Sequence, residues 1–341
     1  MRYPLPILPG ATIGVTAPSS GVDSAMHRRL DLAITNLRDR GYQVLEGQCL
    51  RDRNNPASDS AKNRAHDFME LYCHEEVAAI FPPWGGELAI DVLPLLDWDR
   101  LRAVPPKWII GYSDTSTLLL PFTIRLEMGT LHAINLMNCI EAQKDPLSQQ
   151  LYEVLKTKPG DMVKSVPSMA YQEQFLPFEQ FPEAPYVLDH PTAWKVLYGP
   201  DSFRFSGRLI GGCLDVVMFL TGTPYGDVAR FNQRYSADGI IFYLENCELS
   251  PYDVHRALMN LKLAGWFQNI NGILIGRNNG PSPASPYSYL EALKETLGDL
   301  EVPILYDIDI GHKPPNLNLI NGSMTIVVWE GDKREVIQQL I

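Results

Sequence analysis

The sequence predicts an α/β protein with two α/β units in tandem, the first built on a parallel sheet. Three observations predict it. Short apolar runs alternate with segments of helical period through the first half of the chain, and the same alternation resumes beyond about residue 191. Between them lies a stretch rich in Pro, Glu, Gln and aromatic residues that follows neither period. The expected organisation is an N-terminal domain over 1–160, a connector over 161–190 and a C-terminal domain over 191–341.

The first strand is Thr12-Ile13-Gly14-Val15-Thr16-Ala17, which runs into Pro18-Ser19-Ser20-Gly21. Asp23 then caps a helix on which Met26, Leu30, Ile34 and Leu37 share one face. Gly41 stops that helix, Tyr42 to Leu45 forms the next strand, and Ala61 to Tyr72 the next helix. Val77 to Phe81 is a third buried strand followed by Pro82-Pro83-Trp84-Gly85-Gly86, and a helix from about Leu88 to Leu96 leads to the strand Trp108-Ile109-Ile110. In the connector, Tyr171, Phe175, Phe178 and Phe181 are too apolar for a free linker. After it come Gly207-Arg208-Leu209-Ile210-Gly211-Gly212 and a helix ending near Thr221. The strand Gly239 to Leu244, the helix Pro251 to Gly265 and the strand Gly272 to Ile275 follow. A helix near Tyr287 to Leu297 and strands over Val302 to Tyr306 and Met324 to Trp329 complete the second unit. Repeated βα units place function at the carboxyl ends of the strands.

Composition narrows the chemistry. In 341 residues, 45% hydrophobic and 20% charged, the balance is that of a folded chain with room for two cores. A net charge of −11 argues against nucleic acid as a partner, because neutralising phosphates needs clustered Lys and Arg. The five cysteines are widely spread and include no C-x-x-C, so neither a disulfide framework nor a zinc knuckle is indicated, and a cytoplasmic setting is expected. No apolar run reaches a membrane-spanning length. H-E-x-x-H, the P-loop pattern and G-x-G-x-x-G after the first strand are all missing, so no metal or cofactor is expected.

The motif that carries chemistry is Gly111-Tyr112-Ser113-Asp114-Thr115, set between an apolar strand and Thr117-Leu118-Leu119-Leu120. A serine at a sharp strand-to-helix turn is lifted clear of the sheet, with the next helix's first N–H groups beside it. The same residues also make a plain helix N-cap. A nucleophilic serine needs a base and the base needs an orienting group. His312 stands on a loop stiffened by Pro314 and Pro315, whereas His27, His66, His74 and His255 fall in helices, His190 in the connector, and His132 at the end of a strand. Glu245 ends a buried strand and suits the carboxylate; Glu248, Asp307 and Asp309 are rivals. Gly85-Gly86 reads as a flexible loop or as a close backbone approach to a ligand.

Several segments, in this order, resemble the LD-carboxypeptidase family of serine peptidases, which includes the microcin C immunity proteins. They are Gly14 to Gly21, Gly85-Gly86 with Leu93 to Asp97, Ile110 to Thr115, Gly211 to Leu214 with Gly222 to Tyr225, Leu244-Glu245, Leu261 to Gly265, and Gly311-His312. The resemblance implies a Rossmann-like, flavodoxin-like N-terminal domain carrying the serine at a nucleophile elbow, and a smaller C-terminal α/β domain carrying the base and its partner. It implies Ser113 as nucleophile, His312 as general base, Glu245 as its orienting carboxylate, and the N–H groups of Gly86 and Asp114 as the oxyanion hole. Usually such proteins are homodimers. Murein-recycling members carry an Arg before the double glycine where this chain has Trp84, and the Tyr-Ser-Asp-Thr elbow, Cys213 and the length resemble the microcin-immunity branch. That branch cleaves the amide joining an amino acid or peptide to a nucleotide-like group, with an aromatic residue stacked on the base. Trp194 is the aromatic nominated, with Gly85 as a further substrate contact, and Lys195 or Arg208 could offset the chain's acidity toward a phosphoramidate. The expected partner is therefore a small peptide or peptide–nucleotide substrate, without nucleic acid or membrane. The alternatives are a murein LD-carboxypeptidase that removes the terminal D-Ala of a tetrapeptide, and a non-catalytic peptide- or nucleotide-binding module.

Overall fold

A computed structural model describes residues 1–51, 56–281 and 286–341. Strands β1 (Thr12–Val15), β2 (Gln43–Glu46), β3 (Val77–Ile80), β4 (Trp108–Gly111) and β5 (Thr130–His132) lie in the order β2-β1-β3-β4-β5, and every adjacent pair is parallel. This is the flavodoxin-like order of a doubly wound sheet. Strands β4 and β5 are buried throughout, which is why they read as unbroken apolar runs. Helices α1 (His27–Asp39), α2 (Ala61–Cys73), α3 (Trp98–Ala103), α4 (Ser116–Leu126) and α5 (Pro146–Val154) accompany this sheet. Helix α1 buries Leu30, Ala33, Ile34 and Leu37, and Asp23 caps a short 3-10 turn, Ser24–Met26, that leads into it. The helix expected from Leu88 to Leu96 is a 3-10 segment, Ala89–Leu95; Pro94 inside it has no N–H to give an α-helical ladder.

The second sheet draws on β6 (Met162–Ser165), β9 (Lys195–Tyr198), β10 (Phe203–Cys213), β11 (Ile240–Glu245), β12 (Ile270–Gly276), β13 (Ile304–Ile308), β15 (Met324–Glu330) and β16 (Lys333–Gln339). Its order is β6-β16-β15-β10-β11-β12-β13-β9, with β10 to β13 parallel and both flanks antiparallel. Around it lie α6 (Leu214–Val217), α7 (Val228–Arg234), α8 (Pro251–Leu263) and α9 (Tyr289–Leu297). Ser250 caps α8 with Pro251 in its first turn, and Ser288 and Glu291 form a reciprocal capping box on α9.

The connector is tied down at both ends. Strand β6 adds to the second sheet, and β7 (Ala170–Tyr171) pairs with β8 (His190–Pro191) as a small ribbon. Between them, buried Arg29 of α1 donates to the carbonyls of Pro182 and Ala184 and stacks over the Phe178 ring. The chain then crosses back: β14 (Leu319–Asn321) pairs antiparallel with β5, so the first sheet is completed by a strand from the far end of the sequence. A single apolar cluster joins the halves, from Phe68, Leu118 and Phe122 to Ile210, Phe242 and Trp266. Each such buried side chain contributes about 1.5–3 kcal/mol, so separating the halves would be expensive. Among the described residues no helix is long and apolar enough to cross a membrane.

Candidate active site

Strand β4 ends at Gly111, and Ser113 follows with φ of 60°, a left-handed conformation that a non-glycine residue adopts only when its surroundings hold it there. Asn135 accepts the Tyr112 N–H at 3.1 Å and pins the turn from behind. The next residues form a 3-10 turn, Ser113–Thr115, that continues into α4. The Asp114 carboxylate points inward, where it accepts from Ser19 Oγ at 2.5 Å, the Ala89 N–H at 2.8 Å and Thr117 Oγ1 at 3.0 Å. It thereby fastens together the loops that follow β1, β3 and β4. Burial still pushes its pKa up, against the pull of those donors.

The Gly85-Gly86 loop lies directly against this turn. A Cβ at Gly85 would come within 2.8 Å of the Asp114 nitrogen and 3.0 Å of Ser113 Oγ, so a side chain there would fill the space in front of the hydroxyl. The Gly85 carbonyl accepts from the Ser20 N–H at 3.2 Å, joining the loops after β1 and β3.

The second half supplies the other groups. Glu245 is the last residue of β11 and is 1% exposed. His312 stands on the loop between β13 and β14, and Gly311 before it has φ of 103° and sits so close that a Cβ would be 2.5 Å from Glu245 Oε2. His312 Nδ1 lies 2.9 Å from Glu245 Oε2, and His312 Nε2 lies 3.1 Å from Ser113 Oγ. With the proton on Nδ1 the ring donates to Glu245 and accepts from the Ser113 hydroxyl. The structure thus brings Ser113, His312 and Glu245 into one hydrogen-bonded chain although they come from opposite halves of the sequence.

Electrostatics follow from that contact. Burial by itself would lower the His312 pKa, but the Glu245 carboxylate and the neighbouring Cys247 raise it well above its ordinary value of 6.5. Burial by itself would raise the Glu245 pKa, but the His312 charge outweighs it and the carboxyl falls below 4.5. A base works only when deprotonated, so the acid limb of kcat/KM against pH should lie above the range of a free imidazole. In Glu245→Gln the raising charge is gone and burial acts alone, so the limb should move to lower pH while kcat falls. Steady-state profiles of the two proteins check this, and an unmoved limb would contradict it.

The cleft in front of Ser113 has a volume of about 510 Å³. Its walls include Trp84, Tyr112, Met137, Phe175, Phe178 and Tyr186, and Gly85, Gly86 and His312 also line it. Among the described lining residues there is no Lys or Arg; Glu179 is the sole carboxylate. Lys195 instead pairs with Asp307, and Arg208 with Asp238.

Not every sequence expectation lands in the cleft. Trp194 does not line it: the ring is 7% exposed and its indole N–H donates to Asp309 Oδ2 at 2.7 Å, so the residue is a core side chain. Trp84, two residues ahead of Gly86, is the tryptophan at the cleft, its Nε1 held by the Ser20 carbonyl at 2.9 Å. Asp309, considered as the orienting carboxylate, is fully buried against Arg277, Trp194 and Ser168. His132 is buried behind the turn and held neutral by burial, its pKa lowered to about 4. Asn135, Tyr186 and the Ser19 contact to Asp114 carry no motif in the sequence that marks them. The aromatic excess of the connector was the one sign that it does more than link.

Residues 13–133 match the model of the LD-carboxypeptidase N-terminal domain, and residues 206–327 that of the LD-carboxypeptidase C-terminal domain. The chain is 25% identical to the microcin C7 self-immunity protein MccF of Escherichia coli, over 98% of this chain and 96% of the relative. It is 23% identical to a murein tetrapeptide carboxypeptidase of Pseudomonas aeruginosa, over 89% of each. The solved structure of MccF in complex with glutamyl sulfamoyl guanosine superposes with a TM-score of 0.85 at 23% identity, covering 98% of both chains.

Proposed function

The chain belongs to the LD-carboxypeptidase family, and from that membership and the site geometry we propose a serine amidase that releases an amino acid or peptide from a nucleotide-like group. As a member of that family the protein is a hydrolase. In this reading Ser113 attacks the scissile carbonyl while His312 Nε2 takes its proton, and Glu245 holds the ring in the tautomer that leaves Nε2 free. The N–H groups of Gly86 and Asp114 receive the developing oxyanion, each contributing on the order of a hundredfold or more in rate. Protonated His312 then gives its proton to the leaving nitrogen, an acyl-enzyme forms on Ser113, and water activated by the same imidazole hydrolyses it.

The observation that carries the choice of substrate is the aromatic wall formed by Trp84, Phe175, Phe178 and Tyr186. Stacking of a base on an aromatic ring contributes about 1–3 kcal/mol. The terminal D-Ala of a murein tetrapeptide has no ring to offer that wall, and its carboxylate would meet no ammonium or guanidinium among the described residues that line the cleft. Just beyond Gly86, the Glu87 carboxyl is pushed above its usual range by burial and by Glu248, Asp114 and Asp215, so the local field is negative. An aminoacyl sulfamoyl adenosine should accordingly be cleaved with a kcat/KM at least about tenfold above that for an L,D-tetrapeptide. Equal or reversed preference in a side-by-side assay would overturn the substrate assignment while leaving the serine chemistry standing.

A further inference from the structure

Strands β10 and β11 are parallel neighbours in register, with Cys213 opposite Glu245 at their carboxyl ends. That pairing sets a buried thiol beside the buried carboxylate, and the His312 loop closes over both. The Cys213 Sγ, a Glu245 carboxylate oxygen and a His312 ring nitrogen all lie within 4.8 Å of one another. Glu245 uses Oε2 for His312, whereas its Oε1 is buried without an N–H or O–H donor, and the other side chain that donates to this carboxylate is the Cys213 thiol. A thiol is a weak donor, and a buried carboxylate oxygen that meets no stronger one is unusual and points to a cation that can take the place of the thiol proton. Thiolate, imidazole and carboxylate together are the donor set of a borderline-soft divalent cation such as Zn²⁺.

We infer that Cys213, Glu245 and His312 form an inhibitory binding site for Zn²⁺ or a similarly soft divalent cation, entered from the cleft side of His312. Starting from the neutral ring, binding releases one proton, from the Cys213 thiol, and moves the imidazole proton from Nδ1 to Nε2, so it displaces the hydrogen bond that orients the ring. An imidazole bound through Nδ1 must carry its remaining proton on Nε2. It then presents an N–H to Ser113 Oγ where turnover requires a lone pair, and the serine is left without a base. The cation is thus an inhibitor that selects the unproductive tautomer, and the enzyme needs no metal to work. The inhibitory consequence rests on the proposed roles of Ser113 and His312; the binding itself does not.

The test separates these two layers. Cd²⁺ titrated into the intact chain should produce a thiolate-to-metal absorption band, retained in Cys247→Ala and in Ser113→Ala and lost in Cys213→Ala. Micromolar Zn²⁺ should inhibit turnover of the wild-type enzyme, and Cys213→Ala should require at least about 10- to 100-fold more, read as the ratio of inhibited to uninhibited rate within each protein. A wild-type protein with no Cd²⁺ band, a band that survives in Cys213→Ala or disappears in Cys247→Ala, or undiminished Zn²⁺ inhibition of Cys213→Ala would each overturn the site. A normal Cd²⁺ band in a protein that Zn²⁺ does not inhibit would leave the site in place but overturn its inhibitory role. If Cys213→Ala fails to fold, the wild-type and Cys247→Ala titrations still decide the matter.

Discussion

Ser113→Ala is expected to lower kcat/KM by roughly 10⁴- to 10⁶-fold while leaving the fold intact. The side chain removed is one hydroxyl at the end of β4, and its hydrogen bond to His312 is a 3.1 Å contact at the cleft surface rather than a core interaction. The backbone at Ser113 keeps its left-handed turn because Asn135 and the Asp114 carboxylate hold it from either side. Alanine at φ of 60° adds a modest strain, so a shift in melting temperature of a few degrees at most is expected alongside the loss of turnover. Residual activity should come from the oxyanion donors and from substrate positioning, which do not depend on the hydroxyl. Covalent labelling by a fluorophosphonate should likewise disappear in Ser113→Ala. Turnover or labelling close to the parent's would sink the assignment of the nucleophile.

The largest stability effect should come from Asp309→Ala, at about 3–5 kcal/mol. Asp309 is fully buried and pairs with the Arg277 guanidinium, which is itself only 4% exposed, while Trp194 and Ser168 donate to the same carboxylate. Removing the carboxylate leaves a guanidinium buried with its charge uncompensated, a far larger penalty than the pair's own net contribution. Chemical denaturation should show the drop directly. Asp309→Ala combined with Arg277→Met should recover part of it, because the stranded charge is then gone. Asp309 also stands three residues before His312, and its carbonyl accepts the Leu317 N–H at 2.7 Å, so the loop that carries His312 is anchored here. Activity per folded molecule should therefore fall in Asp309→Ala as well. A double variant no more stable than the single one would argue against this account.

These two residues also mark what could and could not be read from the chain alone. Ser113, Glu245 and His312 were legible because strand ends, a strand-to-helix turn and a proline-stiffened loop leave local signatures. The docking that brings them together has none, since it depends on apolar faces of α4 and β10 whose partners lie far away in sequence. Trp194 was misplaced for a related reason: an indole that caps a buried carboxylate and one that lines a cleft look the same in a sequence until the carboxylate is located. The aromatic residues between 171 and 186 were recognised as too apolar for a linker, but which wall they build is set by Arg29, a buried cation more than a hundred residues earlier. Strands β6 and β16 escaped notice because they alternate polar and apolar residues at the periphery of a sheet whose centre is uniformly apolar.

The pairing of β14 with β5 bears on how the protein is made. During synthesis the N-terminal half emerges with the edge of β5 open, its backbone N–H and C=O groups without their strand partner until residues 319–321 have been added. Almost two hundred residues separate the partners, so closure of that edge is a late and slow event in the life of the nascent chain. A molecule synthesised only that far carries Ser113 at its turn but neither the strand that seals the sheet nor His312, whose Nε2 meets the hydroxyl at 3.1 Å in the folded protein. Until residues 319–321 are in place, the exposed edge of β5 is the surface that a chaperone would have to shield.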